Sequence, residues 1–358
     1  METDPMNATE YLRSLCRLLH FGVPPGDVLA LQDQPDWEAW GKALADRAAR
    51  YAEDGESALR EGRVASAEAL LRTAAVCFHY AQFKWQSGDM RAALRERSRR
   101  AFALAAPLSC PPAEPVAIAF DELRLPGYVR RIAGDSPAPW IILLNGLDSA
   151  KEVELDRFAD GFVRRGANVL YCDLPGLGEL AGRSSLRRFD AAFSAVASWL
   201  AARCNGDARI GVFGVSFGGH LACRAASLSP HVTAAVCLGG FFDTAALERL
   251  PGPARDNLRR AYGLPVDAPL EELRPTIDLA RLPTPAAPRI LIVHGSDDHL
   301  ADAAQVERLC RWAPQATLRV WPGGEHVCTN LFARCLPDLW DFAVGSLRAG
   351  GPAAASVA

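Results

Sequence analysis

The spacing of apolar residues changes character about a third of the way along the chain. From residue 37 to 105 the pattern is helical. Leu70, Ala74, Phe78, Ala81 and Trp85 fall on one helix face, with Arg72 and Lys84 off that stripe. Gly62 and Gly88 punctuate two of these helices, and no sustained period points to a helical solenoid. The stretch "APLSCPPAEP" (106–115) follows; its four prolines are incompatible with a helix and read as a linker. Beyond it, short uninterrupted apolar runs alternate with helical stretches. Strands are predicted at 116–120, 123–130, 140–144, 168–172, 209–213, 234–238, 289–293 and 317–321. Helices are predicted near 152–165, 186–203, 217–228, 303–312 and 330–347. This alternation predicts an α/β fold: a mostly parallel sheet covered by helices on both faces, with the first two strands forming an antiparallel start.

The same pattern divides the chain. Residues 1–110 are expected to form an N-terminal helical domain, 111–348 an α/β domain, and 349–358 a tail. About 50 residues separate the strands at 234–238 and 289–293, where a simple crossover needs roughly a dozen. The surplus, at about 241–285, contains short helices broken by proline and reads as a cap insertion above the strand ends.

Composition narrows the function. The chain has 358 residues, 49% hydrophobic and 23% charged, with a formal net charge of -3. Dispersed basic residues on a slightly acidic protein argue against nucleic-acid or anionic-membrane partners. No apolar run reaches the roughly 18 residues of a membrane span. The acidic start, Met-Glu-Thr-Asp-Pro, is unlike a secretory signal. Ten cysteines without a C-x-x-C pair, several of them in apolar runs (Cys77, Cys172, Cys237, Cys310), suggest a reducing cytoplasm rather than a disulfide framework. No His/Cys/Asp/Glu cluster has metal-ligand spacing, so neither metal nor cofactor is expected.

Chemistry concentrates at "GVFGVSFGGH" (211–220). Ser216 lies between a predicted strand and a predicted helix, the setting of a nucleophile elbow. Gly214, Gly218 and Gly219 provide the clearance such a tight turn requires. A serine hydroxyl needs a base, and in this fold the chain order is serine, acid, histidine. "ILIVHGSDDHL" places Asp298, with Asp297 as its rival, just past a strand, and "RVWPGGEHVCTN" places His326 just past the last one. Both positions lie at the carboxyl ends of parallel strands, where such sheets bind ligands. Ser216, Asp298 and His326 are therefore the predicted triad. Oxyanion donors are expected from the N–H of Phe217 and from that of Leu147 in the loop "LLNGLDSAKEVEL". Asp148 and Lys151 in that loop read as a surface pair. His220 reads as a local packing residue and His294 as buried. "DLPGLGE" (173–179) lacks the Lys-Ser/Thr ending of a nucleotide-binding P-loop and reads as a tight active-site loop.

"NGLDSAKE", "DLPGLGE", "GVSFGG", "HGSDD" and "GGEH", together with "ELRLPGYVR" after the proline linker, resemble the alpha/beta-hydrolases grouped as 2,6-dihydroxypseudooxynicotine hydrolases and FrsA-like esterases. Fungal hydrolases that shorten polyketide chains are similar too. The resemblance spans residues 37–347. It implies an eight-stranded alpha/beta-hydrolase sheet, a helical N-terminal domain acting as a lid, a Ser-Asp-His triad at Ser216, Asp298 and His326, and a homodimer. Several relatives cleave carbon–carbon bonds in aryl ketones or beta-dicarbonyl compounds. Many carry "DGPGQGE" where this chain has Leu174 and Leu177, which predicts a more apolar rim. The expected activity is hydrolysis of a small-molecule carbonyl compound, a ketone or an ester, in aromatic or natural-product metabolism. Non-hydrolytic acyl transfer or cyclisation by the same triad is the alternative, and an idle triad in a binding protein a third reading.

Overall fold

The structure is a computed structural model and describes residues 8–85, 88–134, 138–204, 209–285 and 289–348. The chain divides into two compact units. The first comprises residues up to Glu114 together with Glu152–Arg157; the second comprises Pro115–Lys151 and the chain from Phe158 onward.

The first unit is helical: α1 (Ala8–His20), α2 (Pro25–Leu29), α3 (Trp37–Arg60), α4 (Val64–Ala81) and α5 (Gly88–Ala105). Asp36 caps α3 by accepting the Ala39 N–H at 2.8 Å. Gly55 of α3 lies against Leu71 of α4, so closely that a Cβ there would overlap the leucine side chain. From Leu71 to Ala81, α4 is buried on every side, so Arg72 is not the exposed residue its place off the apolar stripe implied. Arg72 pairs instead with the buried Asp156. Glu154 accepts the Tyr80 hydroxyl at 2.8 Å and meets His79 Nε2 at 3.1 Å. These polar contacts tie Glu152–Arg157 to the helical unit.

The apolar runs of the second unit assemble into one eight-stranded sheet: β1 (Ala113–Phe120), β2 (Leu123–Arg130), β3 (Trp140–Leu144), β4 (Asn168–Cys172), β5 (Ile210–Val215), β6 (Val232–Leu238), β7 (Arg289–Gly295) and β8 (Thr317–Trp321). The spatial order is β1-β2-β4-β3-β5-β6-β7-β8. β2 runs antiparallel to β4, while the pairings from β4 through β8 are parallel. β1 starts inside the stretch read as a linker. Pro115 is tolerated because β1 is an edge strand, with a ladder partner on one side only.

The crossovers are α6 (Asp156–Val163), α7 (Phe189–Ala201), α8 (Phe217–Leu228) and, after the insertion, α11 (Ala303–Trp312); α12 (Phe332–Arg348) closes the chain. The insertion holds a 3-10 turn at Thr244–Arg249, α9 (Gly252–Tyr262) and α10 (Arg274–Ile277). β5 is buried along its whole length and sits between β3 and β6. It therefore delivers its last residue to the middle of the sheet's carboxyl edge. All ten cysteines are free thiols. Among the described residues, no helix is long and apolar enough to cross a membrane.

Candidate active site

Ser216 is the single residue between the end of β5 and the start of α8, with φ 57° and ψ -120°. A non-glycine residue rarely adopts such a conformation, which costs on the order of 1–3 kcal/mol unless its surroundings enforce it. The neighbouring glycines make the enforcement possible. A Cβ on Gly214 would overlap the Gly218 carbonyl, and one on Gly218 would overlap the carbonyl oxygen of Leu144. The Ser216 N–H donates to Leu238 O at 2.8 Å, anchoring the turn to β6.

The strands to one side bring up the partners. Beyond β7, Asp298 is buried; beyond β8, His326 opens a 3-10 turn at His326–Leu331. The two loops touch through backbone, since a Cβ on Gly295 would strike the carbonyl of Gly324. Further bonds fasten the histidine loop. Gly323 N donates to Ser296 Oγ at 2.8 Å, Glu325 N to Asn330 Oδ1 at 2.9 Å, and Asn330 Nδ2 to Gly323 O at 2.8 Å. Val327 and Cys328 follow His326 with φ 54° and 55°, and this reversal turns the chain sharply toward α12.

The three predicted side chains meet. Ser216 Oγ lies 2.8 Å from His326 Nε2, and His326 Nδ1 lies 2.9 Å from Asp298 Oδ2. The other oxygen of Asp298 accepts the N–H groups of Leu300 at 2.9 Å and Ala301 at 3.0 Å. Burial works against the Asp298 carboxylate, but the bond from His326 and these backbone donors outweigh it and hold its pKa below the usual value. Asp297 is exposed and accepts the Ser296 hydroxyl at 2.8 Å; it does not join the group.

Phe217 is the first residue of α8, where N–H groups lack intrahelical acceptors and the helix dipole is positive. Gly146 places the opposite loop against Val215 O and within 3.4 Å of Ser216 Cβ, as measured from the position its own Cβ would take. Leu147, the next residue, shares a cleft with Ser216 and Phe217. That cleft is lined by Leu147, Ser216, Phe217, Phe241, Ala246, Leu247, Leu250, Leu300, Ala301 and His326. Apart from Ser216 and His326, its lining is apolar.

One sequence expectation is corrected here. Lys151 is not half of a surface pair with Asp148. It is buried and pairs with Asp173 at 2.7 Å and Glu179 at 2.6 Å, whereas Asp148 accepts from the Asn257 side chain. The loop turns Lys151 inward to two carboxylates that follow β4. Leu174 and Leu177 are not among the cleft-lining residues; both are buried in the main hydrophobic core of the sheet. His220 packs locally as expected: its ring stacks on Phe241 at 4.7 Å and Nδ1 lies 3.1 Å from Phe241 O. Burial pushes its pKa down to about 4. His294 is buried as well, and burial lowers its pKa.

The family model for FrsA-like esterases matches residues 47–249. The chain belongs to the FrsA-like esterase family. A curated relative, 2,6-dihydropseudooxynicotine hydrolase of Paenarthrobacter nicotinovorans, is 30% identical over 344 residues, covering 93% of this chain and 92% of the relative. The crystal structure of a 2,6-dihydroxy-pseudo-oxynicotine hydrolase superposes with a TM-score of 0.84 at 29% identity, covering 94% of this chain and 96% of that one. AbyA5 superposes with a TM-score of 0.67 at 18% identity over 95% of this chain and 93% of that one, a likeness of fold alone. As a member of this family the protein is a hydrolytic enzyme of the alpha/beta-hydrolase fold. The cleft walls from the insertion (Phe241, Ala246, Leu247, Leu250) and the Leu300–Ala301 wall had escaped the sequence reading. Apolar residues in a pocket look like apolar residues in a core, and no motif marks them.

Proposed function

We propose that Ser216, His326 and Asp298 form a catalytic triad that hydrolyses an uncharged carbonyl compound through an acyl-enzyme. The observation that carries this reading is the continuous pair of hydrogen bonds from Ser216 Oγ through both nitrogens of His326 to Asp298, opening onto a cleft. Ser216 Oγ attacks the carbonyl carbon while its proton passes to His326 Nε2. Asp298 holds the ring with its proton on Nδ1 and stabilises the imidazolium. The N–H groups of Phe217 and Leu147 serve as donors to the oxyanion, each contributing on the order of 3 kcal/mol to the transition state. The bond from the carbonyl carbon to the leaving group then breaks, and the leaving group takes the proton from His326. For an ester the leaving group is an alcohol; for a ketone or 1,3-dicarbonyl it is a carbon that must carry charge as an enolate or electron-rich ring before protonation. Water then adds to the acyl carbon, gives its proton to His326, and releases a carboxylate and free Ser216.

Kinship with a protein named for hydrolysis of a pseudooxynicotine favours the carbon–carbon bond, and kinship with FrsA-like esterases favours the ester. Incubation with an aryl 1,3-diketone and with an aryl ester in oxygen-18 water tests both. One label in the product carboxylate is expected, and the substrate that turns over identifies the bond. Turnover with no label in the acid would instead establish transfer or cyclisation. Unchanged turnover by Ser216→Ala would overturn the triad.

A further inference from the structure

We propose that the cleft beside Ser216 is the pocket for an uncharged, apolar acyl group, with Leu247 and Leu250 as specificity-determining residues and Gln305 as a residue that positions them. This rests on the triad reading above and goes beyond it in assigning a substrate class and the residues that select it.

The wall that carries the two leucines has little regular structure of its own. It is the 3-10 turn at Thr244–Arg249, capped by Asp243, whose carboxylate accepts the Ala245 N–H at 3.0 Å. Leu247 lies within this turn and Leu250 immediately follows it. The facing wall, Leu300 and Ala301, belongs to the loop whose N–H groups bind Asp298. Side chains on both sides join the walls: Arg249, the last residue of the turn, pairs with Asp302, next to Ala301, at 2.7 Å, and Gln305 ties the start of the turn to α11. Gln305, on the first turn of α11, is fully buried. Its Oε1 accepts the N–H of Phe242 at 2.7 Å and of Asp243 at 3.2 Å, and its Nε2 donates to Asp243 Oδ1 at 2.9 Å. Arg308, one turn further along α11, pairs with the other oxygen of Asp243. Gln305 and Arg308, neither of which lines the cleft, thus anchor the start of the leucine turn to α11, the helix that follows the Leu300–Ala301 loop.

The chemistry of the lining chooses the occupant. A charged acyl group would lose its hydration and meet, among the described lining residues, no compensating charge or donor beyond Ser216, His326 and the N–H groups of Phe217 and Leu147, which the reaction itself occupies. An apolar one gains with each methylene it buries, about fourfold in binding.

The test uses the full chain with p-nitrophenyl acetate, butanoate, hexanoate and the anionic monosuccinate, alongside fluorophosphonate labelling of Ser216. Wild-type kcat/KM is expected to rise at least tenfold from acetate to hexanoate, with the monosuccinate below the acetate. Leu247→Trp, which fills the slot, is expected to lower the hexanoate-to-acetate ratio at least tenfold while Ser216 still labels. Gln305→Leu is expected to lower the same ratio through KM rather than kcat. Should Gln305→Leu fail to fold, the Leu247 variant still decides. A flat or inverted ester series, a monosuccinate rate at or above the acetate, or a ratio unmoved by Leu247→Trp, with Ser216 labelled, overturns the pocket assignment and leaves the triad standing. Absence of Ser216 labelling in folded wild-type protein overturns both.

Discussion

Asp298 Oδ2 lies 2.9 Å from Nδ1 of His326, while the Nε2 of that ring lies 2.8 Å from Ser216 Oγ. With Nδ1 as the donor, Nε2 is left free to take the serine proton. Asp298→Asn keeps the shape but can present an N–H to Nδ1, which favours the wrong tautomer. Its kcat is expected to fall by about 10³–10⁴, the scale seen when the acid of a comparable triad is amidated. Asp297→Asn, at the exposed neighbour, should stay within about twofold of wild type on the same substrate. Steady-state kinetics on both variants checks the assignment, and equal losses would reject it.

Glycine at 218 is required by backbone rather than by chemistry. A side chain there would strike the carbonyls of Leu144 and Asn145, neither of which can move without breaking β3 or the loop before Leu147. Gly218→Ala is therefore expected to cost more than about 2 kcal/mol, as an overpacked site does. Gly252→Ala is the control. It lies at the start of α9 with nothing within 4 Å of the added carbon, so it should be neutral or stabilising by up to about 1 kcal/mol. Urea midpoints of the two variants separate backbone crowding from a general intolerance of alanine.

The parts legible in the sequence were those governed by local pattern. Strand periodicity fixed 123–130, 140–144, 168–172 and 317–321 to the residue, and helix periodicity did the same for 217–228 and 303–312. The Ser216 turn was legible because its glycines have a steric reason visible in one dimension. What could not be read depended on contacts between distant segments. Lys151 is buried because Asp173 and Glu179 come to it from beyond β4, and nothing near position 151 announces them. Leu174 and Leu177 sit in a loop of glycines beside polar residues, yet they are drawn into the core beneath the sheet edge. Gln305 reads as an ordinary helix residue until Phe242 and Asp243 are placed against it.

His220 makes stability sensitive to acid. Burial lowers its pKa from 6.5 to about 4, so the unfolded chain takes up a proton that the folded chain refuses between those values. Stability is complete above about pH 6.5 and declines as pH falls from there toward 4, by about 2–3 kcal/mol for this residue. His20, also lowered to about 4 by burial and by Arg157, adds a loss in the same window. Asp298 acts elsewhere: its lowered pKa contributes stability that is lost only below the ordinary carboxylate range. His294, whose pKa burial also lowers, loses stability in the same direction, so His220→Asn should show a shallower decline between pH 6.5 and 4 than wild type, with the shares of His20 and His294 remaining. Denaturant titrations across that range measure the two slopes, and parallel curves would remove His220 from the account.

Lys151 is almost wholly buried and faces two carboxylates, Asp173 equally buried and Glu179 more open. Asp173 also accepts the Glu179 N–H at 3.0 Å, so one carboxylate oxygen gathers both the ammonium and the backbone of the loop that follows β4. Gly178, at φ 52°, lets that backbone close over Asp173, where a Cβ would strike the carboxyl group. Lys151→Met keeps much of the side-chain bulk but strands a buried anion, and the expected loss is about 3–5 kcal/mol. Adding Asp173→Asn removes the stranded charge while leaving an oxygen for the Glu179 N–H. The double variant should therefore recover about half of the loss, a coupling that two independent sites would not display. Thermal and urea unfolding of the two single variants and the double variant completes the cycle. Strict additivity would mean that Lys151 serves by packing alone.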